Sequence, residues 1–165
     1  MTGQQIGDLI GVIAGGIWAL AGSTVLSGRS RAIAVVVSLA ATILLGLAIG
    51  RLPSAGMADH PGRFDGGIYA LAVGAEMIAI LAAVALLHRL ARQDWLPPVI
   101  AVIVGLHFLG LWRATGEVAC VALAAGLCLV GFAGLWVPAS VRLLVVGFGA
   151  ALVLWAPAVV TILSS

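Results

Sequence analysis

The sequence predicts an all-α integral membrane protein: a polytopic transmembrane helix bundle, with six spans joined by short loops. Of the 165 residues, 63% are hydrophobic and only 8% are charged, whereas soluble domains carry about 25% charged residues. A soluble chain of this length leaves too much surface exposed to hide so much apolar area from water. The apolar residues also run in continuous stretches, long enough to cross ~30 Å of hydrocarbon as helices. Lipid is therefore the expected solvent for a single domain over residues 1–165.

Six apolar stretches, separated by short polar or proline-containing segments, approach the ~20 residues that a transmembrane helix needs. We expect spans over residues 6–26, 32–49, 67–87, 96–112, 118–136 and 141–163. Five spans also fit the sequence, because the fourth stretch is the shortest and only residues 137–140 separate the fifth from the sixth. Pro97 and Pro98 fall in a first helical turn, where a missing N–H does no harm, whereas Pro157 is expected to kink the last helix.

The arginines predict the orientation of the bundle, because cytoplasmic loops carry an excess of basic residues. One side of the predicted bundle has five arginines, Arg29, Arg31, Arg89, Arg92 and Arg142. The other side has three, Arg51, Arg63 and Arg113. We therefore expect a multi-pass protein of the bacterial inner membrane with its N-terminus outside.

Small residues recur at every fourth position in the first two spans and predict a helix-packing ladder. The ladder residues are Gly7, Gly11, Gly15 and Ala19 in the first span, and Ser38, Thr42 and Gly46 in the second. Helices associate in lipid through close backbone approach, which small side chains permit. The favoured interpretation is that the first two helices pack on each other. The alternative is that one ladder contacts a second copy or another subunit, so we expect a homo-oligomer or a larger membrane complex.

Two ionisable residues lie near the middle of neighbouring spans, Glu76 in the third and His107 in the fourth. Such a residue costs about 3 kcal/mol at the bilayer centre and is usually paired or functional. Each lies 15.5 positions from the middle of the connecting loop, between residues 91 and 92, so a regular hairpin brings both to the same depth. The pair then either pins the helices together or binds a proton or ligand, and helix rotation leaves open whether the side chains meet. Tyr69, two turns before Glu76, extends a possible polar path.

The longest predicted loop, residues 53–66, brings a cluster of polar side chains to the outer face. The cluster comprises Asp59, His60, Arg63 and Asp65, with Arg113 and Glu117 on the same side. Asp59 and His60 are possible metal ligands, but zinc sites use at least three protein ligands, and no third candidate has a matching spacing. A solvated turn is therefore the favoured interpretation, and we expect no metal and no cofactor.

Two classes of function fit these features. The first is a channel or transporter-like bundle in which Glu76 and His107 handle protons or a small solute. The alternative is a non-catalytic accessory or assembly subunit of a larger membrane complex, docking through the small-residue ladder. An enzyme is least favoured, because the sequence has no recognisable nucleophile or metal set. A net charge of only +2 gives no reason to expect a nucleic-acid partner.

Overall fold

The computed structural model describes residues 3–52 and 65–165, and within these ranges the protein is an all-α bundle without strands, which confirms the predicted fold class. The helices are α1 (Gly3–Ser23), α2 (Gly28–Arg51), α3 (Gly66–Arg89), α4 (Leu96–Thr115), α5 (Ala119–Trp136) and α6 (Ala139–Leu163), with a 3₁₀ turn (Gln93–Trp95) before α4. In this part of the chain, the five helices α2 to α6 are long and apolar enough to cross a membrane. The apolar stretch identified in α1, Gly7–Ser23, is shorter.

The helix boundaries differ from the predicted spans by four residues at most, at the start of α2. Helix α2 begins at Gly28, so Arg29 and Arg31 lie in its first turn and not in a loop. Arginine is a good helix former, and its long side chain can extend its charge away from apolar surroundings. Pro157 lies inside α6, which continues to Leu163. The proline therefore does not end the helix, although it removes one backbone donor.

The chain divides into two compact units, and the first contains α1, α2 and the part of α6 from Gly147 onward. Its core is formed by Val12, Ile49 and Ala158, one from each helix. The indole Nε1 of Trp155 donates to the carbonyl oxygen of Val12 at 3.0 Å. A Cβ built on Gly147 would lie 2.7 Å from the Cα of Gly22. The earlier residue of α1, Val12, contacts the later residue of α6, Trp155, and Gly22 contacts the earlier Gly147. The two helices are therefore antiparallel.

The small residues of α1 face α6 as well as α2. A Cβ on Gly11 would lie 3.0 Å from the carbonyl oxygen of Leu154, and one on Gly15 would lie 2.5 Å from Nε1 of Trp155. Helices α1 and α2 do pack on each other, as predicted, but these two glycines lie against α6. Small residues permit a close approach without determining which helix makes it. Gly16, which is outside the ladder, faces α2 instead.

The other ladder residues lie in mixed surroundings. Ala19 and Ser38 are buried, and the Thr42 hydroxyl would lie 2.6 Å from a Cβ on Gly16. A Cβ on Gly46 would meet Cδ1 of Leu9 at 3.6 Å, an ordinary contact, and one on Gly7 would meet nothing within 4 Å. The seven positions therefore do not form one continuous packing face.

The second unit contains α3, α4, α5 and the start of α6. Asp65 caps α3, because its Oδ1 accepts from the backbone N–H groups of Gly67 and Ile68 at 2.9 and 3.0 Å. The backbone N–H of Asp65 donates to the carbonyl of Ala114 at 2.9 Å. This bond joins the beginning of α3 to the end of α4 and fixes the antiparallel hairpin that carries the two mid-span ionisable residues.

Glycines set the closest approaches in this second unit. A Cβ on Gly110 of α4 would lie 2.5 Å from the Cβ of Ala72 on α3. On the opposite side of α4, a Cβ on Gly105 would lie 3.0 Å from the carbonyl oxygen of Ala124 on α5. Helix α4 therefore lies between α3 and α5, with a glycine at each contact.

Candidate functional site

Glu76 of α3 and His107 of α4 face each other. Nδ1 of His107 lies 3.3 Å from Oε2 of Glu76, and the two side chains are 11% and 19% exposed. Each residue lies near the middle of its helix, at least eight positions from either end. A carboxyl group and an imidazole therefore meet far from the aqueous ends of the hairpin.

The contact between them is not a well-formed hydrogen bond. Among the described residues, Nδ1 of His107 is the buried side-chain nitrogen or oxygen that has no hydrogen-bond partner. Buried polar atoms are nearly always hydrogen-bonded, and leaving one unpaired costs about 1–3 kcal/mol. This nitrogen is thus available for a proton shared with Glu76 or for a polar group on a ligand.

A groove of about 240 Å³ surrounds the pair between α3 and α4. Apart from Glu76 and His107, its lining residues are apolar or small: Ala72, Ala75, Ala79, Ile103, Leu106 and Gly110. These positions recur every three or four residues and therefore share one face of each helix. The alanines leave free space beside the carboxyl group, while the Gly110–Ala72 contact holds the two backbones together.

The weaker candidates lie outside this groove or outside the described residues. Tyr69 is 43% exposed, and the groove lining on α3 begins one turn later, at Ala72. Asp59, His60 and Arg63 lie outside the described residues. Asp65 is the cap of α3, and Arg113 lies in the last turn of α4.

Glu117 completes the predicted outer cluster and lies in the exposed turn between α4 and α5, where its backbone N–H donates to the hydroxyl of Thr115 at 3.2 Å. Within residues 3–52 and 65–165, no three His, Cys, Asp or Glu side chains are grouped as metal ligands. The predicted outer cluster is therefore described only in part, and its described members have separate local roles.

A second charged cluster, not foreseen from the sequence, joins the loop before α4 to the start of α6. Arg142 is only 7% exposed. Its Nε and Nη2 donate at 3.0 Å to the carbonyls of Gly134 and Val137, and its Nη1 contacts Oδ2 of Asp94. The guanidinium also lies 5.6 Å from the ring centroid of Trp95. The sequence did contain a signal: Asp94 is the single acidic residue on the predicted arginine-rich side, and Arg142 at the start of the last span lies on that same side.

A buried acid in α1 was also not foreseen. Oδ2 of Asp8 accepts from the hydroxyl of Thr161 at 2.8 Å, and both side chains are buried. Gln5, one turn earlier, donates to the carbonyl of Leu52 at 3.2 Å. These bonds connect α1 to α6 and to the end of α2, so we interpret them as structural links within the first unit.

The chain was compared with protein-family models, with curated proteins and with solved structures, and none of them matches it. Arguments about its function therefore rest on the geometry of its own residues. Of the described clusters, the Glu76–His107 groove combines free volume, titratable groups and an unsatisfied polar atom.

Proposed function

We propose that this multi-pass helical bundle conducts or transports protons, or a small solute coupled to them, with Glu76 and His107 as the proton-handling pair. The observation that carries the proposal is the unpaired Nδ1 of His107, 3.3 Å from a carboxylate oxygen inside an apolar groove. A purely structural pair is expected to be fully hydrogen-bonded. A pair with one unsatisfied nitrogen beside free volume is better suited to gaining and losing a proton or a ligand.

The chemistry of the two side chains supports this role. Imidazole normally titrates near neutral pH, and two interacting acids release their protons as a coupled pair. Moving one proton between Oε2 and Nδ1 needs only a small reorientation of the ring or the carboxyl group, because the atoms already lie 3.3 Å apart. Intramembrane ionisable residues commonly mark ion pathways and proton relays.

A proton-flux measurement tests the proposal. The purified full chain is reconstituted into liposomes that contain a pH-sensitive dye, and an outside pH jump is applied. Wild type is expected to collapse the gradient, whereas Glu76→Gln is expected to lose at least about 90% of the rate, because an amide cannot release a proton at an accessible pH. Glu117→Gln changes an exposed carboxyl outside the groove and is the matched control. Flux in Glu76→Gln equal to that of wild type would refute the proposed role.

An accessory or assembly role is the second candidate, supported by the open surface at part of the ladder. A Cβ on the ladder residue Gly7 would meet no atom within 4 Å, so a neighbouring helix could approach there. Gly11 and Gly15, in contrast, already contact α6. Mass measurement of the complex purified from native membranes separates the candidates, since other chains in fixed stoichiometry support this role and a single-component oligomer supports the first.

The orientation with the N-terminus outside remains part of the proposal. A topology reporter fused after Ser165 is expected to report the extracytoplasmic side, because six crossings return the chain to the side where it began. A cytoplasmic signal would refute either the six crossings or the orientation deduced from the arginines.

A further inference from the structure

The lining of the groove restricts what it can bind besides a proton. Among the described residues that line it, the titratable side chains are one carboxylate, Glu76, and one imidazole, His107. They are too few for a bound zinc ion, which takes four ligands, or for calcium, which takes six to eight oxygens. An anionic ligand would meet the Glu76 carboxylate, and a neutral apolar one would leave it without a counter-charge in apolar surroundings. An organic cation can neutralise the Glu76 carboxylate with its charge and contact the apolar walls with its carbon atoms.

The geometry of the two polar atoms indicates which kind of cation fits. When the imidazole proton is on Nε2, Nδ1 is an acceptor, and it then lies 3.3 Å from a second acceptor, Oε2 of Glu76. A single ammonium nitrogen with several N–H groups can donate to both acceptors at ordinary hydrogen-bond lengths. A quaternary ammonium ion has no N–H and can satisfy only the charge.

We propose that the α3–α4 groove binds a small lipophilic primary amine as its ammonium ion, with the nitrogen between Glu76 and His107 and the apolar tail along the alanine-lined wall. The inference rests on the proposed function and names the solute class for the same site. A volume of about 240 Å³ corresponds to roughly eight water molecules at ~30 Å³ each. This volume suits an amine with one ring or a short alkyl chain.

The same geometry makes proton binding and amine binding mutually exclusive. A proton on Nδ1 removes one acceptor and places a positive charge beside the carboxylate, which neutralises the site and repels the ammonium ion. The other titratable or charged side chains on α3, α4 and α5 are Tyr69, His88, Arg89, Arg113, Cys120 and Cys128, and none of them lines the groove. Protonation of the Glu76–His107 pair is thus the expected source of pH dependence.

Equilibrium binding of radiolabelled phenethylamine to the full chain in lipid nanodiscs tests the inference. We expect saturable binding at about pH 8 and affinity at least tenfold weaker at about pH 5, where a histidine is normally protonated. Excess unlabelled phenethylamine should displace the label, whereas propylbenzene, which has no ammonium group, should not. Absence of saturable binding, unchanged affinity between the two pH values, or displacement by propylbenzene would overturn the inference.

Two variants link the binding to the pair. Glu76→Gln should lose saturable binding, while Glu117→Gln should retain it. His107→Gln keeps an acceptor that does not titrate, so it should bind at both pH values with less than a twofold difference. Size-exclusion profiles and thermal unfolding confirm that each variant is folded, and Glu76→Ala, which also removes the carboxylate, replaces Glu76→Gln if the latter is not. Retained binding in a folded Glu76→Gln, or tenfold pH dependence in a folded His107→Gln, would overturn the inference.

The proposed function and this inference fail separately. Proton flux that depends on Glu76 without saturable phenethylamine binding would overturn the amine site and leave proton handling intact. Phenethylamine binding that depends on Glu76 without proton flux would support the amine site and overturn proton transport.

Discussion

The second unit contains two pairs of opposite character, Asp94–Arg142 and Glu76–His107. The Arg142 guanidinium makes hydrogen bonds, an ion pair and a cation–π contact, and the side chain of its partner Asp94 is 38% exposed. Nδ1 of His107 has no hydrogen bond, although a carboxylate oxygen lies 3.3 Å away. We therefore expect the Asp94–Arg142 pair to stabilise the fold. The Glu76–His107 pair, in contrast, leaves Nδ1 of His107 available to bind a proton or a ligand. The two pairs differ in whether their polar atoms are hydrogen-bonded, since in both pairs the oppositely charged or titratable groups lie close together.

The largest effect is expected from forcing α3 and α4 apart. Gly110→Leu places a branched side chain where even a Cβ would lie 2.5 Å from the Cβ of Ala72, and we expect a loss of more than about 3 kcal/mol or failure to fold. Gly74→Leu is the matched control on α3, because a Cβ there meets nothing within 4 Å. Thermal unfolding in detergent measures both. Equal behaviour of the two variants would show that the hairpin contact does not hold the groove together.

The contrast between Gly110 and Gly74 also shows which feature of the hairpin the sequence does not predict, namely the rotation of each helix about its axis. Equal spacing from the loop brought Glu76 and His107 to one depth, because a short loop makes neighbouring helices antiparallel. Rotation about the helix axes depends on side-chain contacts such as Gly110 with Ala72, and a pattern of apolar residues does not specify them. The groove volume was therefore not predictable.

Long-range partners were unpredictable for the same reason. Asp94 and Arg142 are separated by 48 positions, and their meeting depends on how α6 begins beside the loop before α4. The small residues of α1 correctly predicted that another helix packs closely on it. They did not predict that α6 is one such helix, with Trp155 donating a hydrogen bond to the carbonyl of Val12, because residue size does not determine which helix packs there. The number and type of helices, in contrast, follow from composition and the length of each apolar stretch.

An intermediate effect is expected from removing the counter-charge of the buried arginine. Asp94→Ala leaves the Arg142 guanidinium with its carbonyl acceptors but without a carboxylate, and we expect a loss of about 2 kcal/mol, since hydrogen bonds to charged groups contribute roughly 1.5–3 kcal/mol. Glu117→Ala, at an exposed turn residue, is the control and should stay within about 0.5 kcal/mol of wild type. If both variants unfold at the temperature of wild type, the Arg142 cluster does not stabilise the protein.

The smallest effect on stability is expected at the groove itself, and it tests the comparison most directly. Glu76→Gln and Asp94→Asn make the same chemical change, from carboxylate to amide, in the two pairs. Asp94→Asn weakens an ion pair with a buried guanidinium, so we expect it to cost about 1–2 kcal/mol. Glu76 has no such partner to lose, and an amide can still hydrogen-bond to imidazole, so Glu76→Gln should change stability by less than about 0.5 kcal/mol while abolishing proton flux.

Thermal unfolding of both amide variants, measured with the flux of Glu76→Gln, completes the comparison. A cost at Glu76 that matches or exceeds the cost at Asp94 would mean that the Glu76–His107 contact pins α3 to α4. Retained flux in that variant would then assign the pair a structural role, because a carboxyl group that carries protons cannot be replaced by an amide, whereas one that only holds helices together can. Near-wild-type stability of Glu76→Gln together with lost proton flux would show that the Glu76 carboxyl group carries protons and does not hold α3 and α4 together.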